Sequence, residues 1–167
     1  MTPQVTRVAI FGAGGRMGRA LTEAMPRHPG LQLAALISRD PRPPVADGAE
    51  LFDTIASALD RFDVLVDFSR PDGAVEAIEA CAEGGKPVVT GTTGFDEAQC
   101  LRLDRCAARI PLCRSGNFSI GVNLLLELVE RAATALGEGF DCEIVEAHHR
   151  HKVDAPSGTA LDRKSVV

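Results

Sequence analysis

Tryptophan and tyrosine are absent from this 167-residue chain, and seven phenylalanines are all that remain of the large aromatic rings. Positive charge is also scarce, with 18 Lys and Arg against 23 Asp and Glu and a formal charge of −5. The chain therefore has neither a basic stripe nor a stacking platform for bases, and nucleic acid is not an expected partner. No apolar run approaches the ~20 residues of a membrane span, and the N-terminus leads straight into a glycine-rich motif instead of a cleavable leader. A cytoplasmic protein with no membrane partner is the expectation. The five cysteines, Cys81, Cys100, Cys106, Cys113 and Cys142, are odd in number and lack the C-x-x-C spacing of zinc and redox sites. They are expected to be reduced and mostly buried as small hydrophobes. What is present, 45% hydrophobic and 25% charged residues, is an ordinary globular composition in a chain long enough for a real core.

Short apolar runs alternate with helical patterns. Val5–Phe11, Leu31–Ile37, Phe62–Phe68, Lys86–Thr90 and Ile110–Cys113 read as strands, being short, rich in Val, Ile and Leu, and mostly bounded by Gly or Pro. Unbroken apolar character, as in Val64-Leu65-Val66, suits strands covered on both faces. Helices are expected over Arg16–Met25, over Asp72–Glu83 with Asp72 as N-cap and Gly84-Gly85 as stop, over Asp96–Ala108, and over Val122–Leu136. The proline-rich stretch from Ser38 to Pro44 reads as a loop. Such alternation implies an α/β fold with a parallel, doubly wound sheet and right-handed crossovers.

Gly12-Ala13-Gly14-Gly15-Arg16-Met17-Gly18 falls between the first strand and the first helix. Glycine lets the backbone approach a pyrophosphate there, and the N–H groups and dipole at the helix start favour its charge, as in a Rossmann-type fold. The spacing that fits is Gly12-x-x-Gly15-x-x-Gly18, with Gly18 allowing close packing of helix on strand; a plain tight turn is the alternative. An acid that reads the adenosine ribose is expected at the end of the second strand, where the chain instead has Ser38 and Arg39. A hydroxyl beside a guanidinium suits a 2′-phosphate, hence NADPH. In the other reading Arg39 is a solvated charge and Asp40 serves the ribose. Gly91-Thr92-Thr93-Gly94, beyond the fourth strand, offers close backbone approach and hydroxyls to a nicotinamide half, or forms a turn before Asp96. Ser115-Gly116-Asn117-Phe118 repeats the arrangement after Ile110–Cys113, as a cofactor contact or as a turn into the next helix.

The segment Glu146-Ala147-His148-His149-Arg150-His151-Lys152 follows Asp141–Val145, which alternates as a half-buried strand would. Clustered cations cost free energy unless an anion is supplied, so the segment points to an anionic ligand. His148 and Lys152 can deliver a proton near neutral pH, and the N–H groups and hydroxyls of Ser157-Gly158-Thr159, after Pro156, can hold a carboxylate. Two bland alternatives stand beside this: a metal held by His148 and His151, for which no carboxylate or Cys completes the set, and a solvated basic loop.

Together these motifs, with Gly91-Thr92-Thr93-Gly94-Phe95, Asn117-Phe118-Ser119 and Pro156-Ser157-Gly158-Thr159, resemble the dihydrodipicolinate reductase family in order and spacing from about residue 5 to residue 161. The resemblance implies NADH- or NADPH-dependent reduction of 4-hydroxy-tetrahydrodipicolinate, a cyclic dicarboxylate, to tetrahydrodipicolinate in diaminopimelate and lysine biosynthesis. It implies cofactor contacts from Gly12, Ala13, Gly14, Gly15, Arg16, Met17, Gly91, Thr92, Thr93, Ser115, Gly116, Asn117 and Phe118. It further implies proton transfer by His148 and Lys152, and carboxylate binding by His149, Gly158 and Thr159. No metal is implied. Residues 1–121 are expected to form the dinucleotide-binding domain. Residues 122–167 should form the start of a second α+β domain for substrate binding and oligomerisation, as a homotetramer in the full-length parent. Family members often carry an acid where this chain has Ser38, which favours NADPH over NADH. They also continue well beyond Leu161, where the likeness stops. A C-terminally truncated chain is therefore the expectation, with an inactive fragment that only binds dinucleotide as the alternative.

Overall fold

The computed structural model of the chain describes residues 5–40, 44–141, 143 and 145–147. The chain divides after Arg114 into two compact units. In the first, Thr6–Phe11 (β1) sends Val8 and Ile10 into one buried cluster and Ala9 into another, so both faces of this central strand are covered. Its neighbour Leu31–Ile37 (β2) pairs with it in parallel, with a shift in register between Val8 and Ala9 that leaves Ala34 unpaired. The bulge resets the alternation, which lets Leu33 and Leu36 join one cluster while Ala35 and Ile37 join the other.

Six strands form one all-parallel sheet in the order β3-β2-β1-β4-β5-β6, with Glu50–Phe52 as β3, Val64–Asp67 as β4, Val88–Thr90 as β5 and Leu112–Arg114 as β6. This is a Rossmann-type doubly wound sheet, and its strand order reverses between β1 and β4. Helix α1 (Arg16–Ala24) leads into a 3-10 turn, Met25–Arg27, started by Pro26, and Met25 packs in the smaller cluster. On the other face Phe62 and Leu65 pack with Ala74, Val75, Ala77, Ile78, Cys81 and Ala82 of α3 (Pro71–Glu83) and Leu103 and Cys106 of α4 (Glu97–Ala107). Arg7 donates to the Asp63 carboxylate at 2.7 Å and ties β1 to the start of β4. Those bonds hold the Asp63 carboxyl below its ordinary range. The tie is thus complete near neutral pH and is lost as pH falls through the lowered value.

Several expectations need correction. β3 and the one-turn helix α2 (Ile55–Ala58), capped by Thr54, were not read from the sequence. Asp72 does not cap α3: Pro71 is already helical, Arg70 is the N-cap, and Asp72 lies in the first turn, where its carboxylate accepts from Gln99 at 2.7 Å. Proline at the first helical position explains the shift, since its φ is pre-set and its missing N–H is not needed there. Asp96 does cap α4, in a reciprocal box with Gln99. Of the four described cysteines only Cys81 and Cys106 are buried, and Cys113 is exposed. Burial pushes the Cys81 thiol up to about 12. Among these four, brief treatment with an alkylating reagent at mildly alkaline pH should label Cys113 and leave Cys81 intact in the native protein, as peptide mapping would reveal.

The second unit holds α5 (Ile120–Leu136), which opens on Ser119, whose hydroxyl accepts from Val122 N–H. Helix α5 begins two residues earlier than the sequence pattern indicates. Of the strand expected over Asp141–Val145, Asp141, Glu143 and Val145 are irregular, and Cys142 and Ile144 lie outside the described residues. Among the described residues no helix is long and apolar enough to cross a membrane.

Candidate dinucleotide site at the strand-order reversal

The turn from β1 to α1 is built around four glycines with different duties. Gly12 has φ +78°, a left-handed conformation that L side chains rarely adopt. A Cβ there would also lie 2.7 Å from the Phe68 carbonyl oxygen. A Cβ on Gly18 would run into the Gly12 carbonyl and lie 2.6 Å from Ala13 Cα, so the first turn of α1 rests directly on the loop. Gly15 is the N-cap and donates to the Gly12 carbonyl at 3.0 Å, and no side chain caps the helix. Its N–H groups are therefore not taken by a capping side chain. Arg16 and Met17 are exposed at this helix start, and Ala13 is buried beneath it.

Gly14 faces the end of β2. A Cβ there would lie 2.7 Å from Ser38 Oγ and 2.6 Å from the Asp40 carboxylate. Ser38 Oγ accepts from the Asp40 N–H at 3.0 Å. Arg19 of α1 donates through Nε to the Gly14 carbonyl at 3.0 Å and through Nη2 to Asp40 Oδ2 at 3.2 Å. Arg39 is exposed and makes no ion pair with a described residue. Ser38 and Asp40 both lie against the glycine turn, and Arg39 between them pairs with no described acid.

Across the reversal, β4 ends on Asp67, a fully buried carboxylate. It stands in register with Thr90 of β5. Its Oδ2 accepts from Thr90 Oγ1 at 2.6 Å and from Thr92 Oγ1 at 2.8 Å, and its Oδ1 accepts from Ser69 N–H at 3.0 Å. Thr92 N–H donates in turn to Thr90 Oγ1, and Gly91 N–H to the Asp67 carbonyl. The Phe68 ring lies against Gly91 so closely that any Cβ at that position would overlap it. The loop Gly91-Thr92-Thr93 is therefore fixed from below by a buried polar network, with Thr93 exposed above it. Sequence reading missed Asp67, Ser69 and Thr90. The usable signal was an acid closing an otherwise apolar strand, with a threonine at the matching place in the next strand.

Ser115-Gly116-Asn117-Phe118 belongs to the second unit and is described by itself. Ser115 Oγ donates to the Asn117 carbonyl at 2.8 Å, and Asn117 Oδ1 accepts from Ser119 N–H at 2.8 Å. Asn123 Nδ2 returns to the Asn117 and Ser119 carbonyls. These bonds shape a turn into α5 and leave the Phe118 ring 45% exposed. His148, His149, Lys152, Gly158 and Thr159 lie outside the described residues, as does His151 of the alternative metal pair.

Glycines that a Cβ would fill, a helix start without a side-chain cap, and two further strand ends converging on the point of reversal define a dinucleotide-binding α/β unit. Residues 6–118 match the family model described as dihydrodipicolinate reductase, N-terminus, and residues 121–167 match its C-terminus. The chain belongs to the dihydrodipicolinate reductase family. It is 50% identical to the 4-hydroxy-tetrahydrodipicolinate reductase of Thiobacillus denitrificans, over 93% of this chain and 62% of that protein. The dipicolinate-bound dihydrodipicolinate reductase of Paenisporosarcina sp. TG-14 superimposes with a TM-score of 0.79 at 28% identity, over 98% of this chain and 65% of that one. The chain thus spans just under two thirds of the length of these relatives. A scyllo-inositol dehydrogenase of Lactobacillus casei, at 18% identity and a TM-score of 0.63, shares the fold.

Proposed function

We propose that the chain carries the dinucleotide site and the catalytic loop of an NAD(P)H-dependent 4-hydroxy-tetrahydrodipicolinate reductase, an oxidoreductase of diaminopimelate and lysine biosynthesis in the cytoplasm. The observation that carries this reading is the glycine turn over the strand-order reversal, in a chain that matches the family along its length. Gly12 to Met17 would hold the pyrophosphate, Gly91 to Thr93 and Ser115 to Phe118 the nicotinamide half. The dinucleotide supplies a hydride to an electron-poor ring carbon. In this reading His148 and Lys152 hold and deliver the accompanying proton, while His149, Gly158 and Thr159 neutralise the two carboxylates of a cyclic substrate. Dipicolinate bound to the Paenisporosarcina relative supports a substrate of that class. No metal is assigned a part. NADPH is the preferred donor in this reading, on the strength of the exposed Arg39 beside the site and the uncharged Ser38, with Asp40 as the neighbouring group that would instead favour a ribose diol and NADH. Assembly as a homotetramer is proposed from the family resemblance.

The test is an assay of NADPH and NADH oxidation with freshly generated substrate, on the wild type and on Lys152→Met and His148→Gln. Each substitution is expected to lower turnover by about 10²-fold while dinucleotide affinity stays nearly intact, since both groups act on the substrate side. If dinucleotide affinity collapses together with turnover, the basic segment is structural and the catalytic assignment is wrong. Binding without oxidation of either dinucleotide in the wild type would reduce the chain to a binding module.

A further inference from the structure

We infer that one face of helix α5 is a contact surface for a second copy of this chain, through which two copies associate about a two-fold axis. The inference stands apart from the dinucleotide site and does not rest on the reductase reading. Helix α5 runs for 17 residues and buries none of them. Ile120, Leu124, Leu125, Leu128 and Leu136 are each more than half exposed. The helical repeat gathers the apolar residues into two stripes. Val122, Leu126, Val129 and Ala133 form one, and all four are half-buried. Gly121, Leu125, Leu128, Ala132 and Ala135 form the other, and all five are exposed. They lie alternately four and three residues apart, which is the spacing of a seam along which two helices pack.

Three features make a second copy the occupant of that seam. It carries no charge, and Glu127 and Arg131 on its polar border pair with each other at 2.7 Å. The border therefore presents no net charge to recruit an oppositely charged partner, and none to hold two like copies apart. The seam is also its own complement. It is centred on Leu128, with the small residues Gly121, Ala132 and Ala135 toward its ends. A two-fold axis near Leu128 thus sets leucine beside leucine and lets the two backbones close where the side chains are small. The size fits as well: the five large side chains expose on the order of 500 Å² per copy, so a pair would bury about 1,000 Å², the lower bound for a specific interface. A contact of that size makes a weak, reversible dimer.

Sedimentation velocity of the whole chain over a wide range of micromolar concentrations tests the inference, under reducing conditions so that exposed Cys113 forms no bridge between copies. The wild type should pass reversibly from monomer to dimer, and added salt should leave the dimer in place because the contact is apolar. Leu128→Glu and Leu128→Lys should each weaken association by at least about tenfold with an unchanged melting curve, since Leu128 is exposed. Mixing those two variants should restore a dimer, because the two-fold axis brings the opposite charges together. If either variant melts early, Leu125→Glu and Leu125→Lys give the same reading from the neighbouring turn. A folded wild type that stays monomeric throughout would assign the face to some other partner and overturn the inference. Association that the leucine substitutions leave unchanged, that salt abolishes, or that the mixture of variants fails to restore would overturn it too.

Discussion

Gly18→Ala is expected to destabilise the protein by about 3 kcal/mol, because the added methyl group must push the first turn of α1 off the Gly12 carbonyl and Ala13. For a chain of this length that corresponds to a Tm lower by roughly 6–12 °C. The same displacement moves the N–H groups that would face a pyrophosphate, so dinucleotide affinity should fall by at least about tenfold, in line with the cost of a 1 Å misplacement. Gly30→Ala is the control, since nothing stands within 4 Å of its Cβ. Thermal melts and dinucleotide titrations on both variants check the expectation. Equal behaviour of the two would mean that α1 does not depend on contact with the turn.

Asp67→Ala is expected to cost about as much by a different route. It removes the acceptor of three hydrogen bonds and leaves the buried hydroxyls of Thr90 and Thr92 short of a partner, at about 1–3 kcal/mol for each unsatisfied group. Asp67→Asn should fall between wild type and Ala. Its carbonyl oxygen still accepts, but its amide donates where two hydroxyls already do. Because the network fixes Gly91-Thr92-Thr93, the variants should also lose dinucleotide affinity, which a cavity of the same size elsewhere in the core would not cause. Leu103→Ala in α4, which also removes three heavy atoms, serves as that comparison: a loss of Tm with unchanged dinucleotide affinity.

The sheet and the glycine turn were legible in the sequence because both signals are local. Continuous apolar runs such as Val64-Leu65-Val66 mark strands buried on both faces, and Gly12 to Gly18 lies in one stretch between a strand and a helix. Signals too short to show periodicity were lost: β3 has three residues and α2 has four. At α3 an acid in the first turn looked like a cap, and only the backbone of Arg70 reveals where the helix starts. The parts of the site that escaped are those assembled across the fold. Asp67 meets Thr90 and Thr92 across 23 and 25 residues, and Arg19 meets Asp40 across 21. Thr92 and Asp40 stand out in their own segments, but neither segment reveals the partner it meets in the fold. Arg39 stands out in the sequence as the cation nearest the expected phosphate, whereas the contact of Arg19 and Asp40 with the glycine turn is visible only in the fold. A solvated charge and a site residue look alike until the chain is folded.

The central claim is that the turn after β1 and the loop after β5 together bind a nicotinamide dinucleotide. A backbone amide NMR titration of the chain with NADPH, and separately with NADH, tests it most directly, and the absence of Trp and Tyr makes such a site-resolved readout preferable to intrinsic fluorescence. The account expects saturable shifts concentrated at Gly12 to Met17, Ser38 to Asp40 and Gly91 to Thr93, with the two dinucleotides differing most at residues 38–40. Saturable shifts that spare those three segments, or no shifts at any dinucleotide concentration in a folded sample, would contradict it.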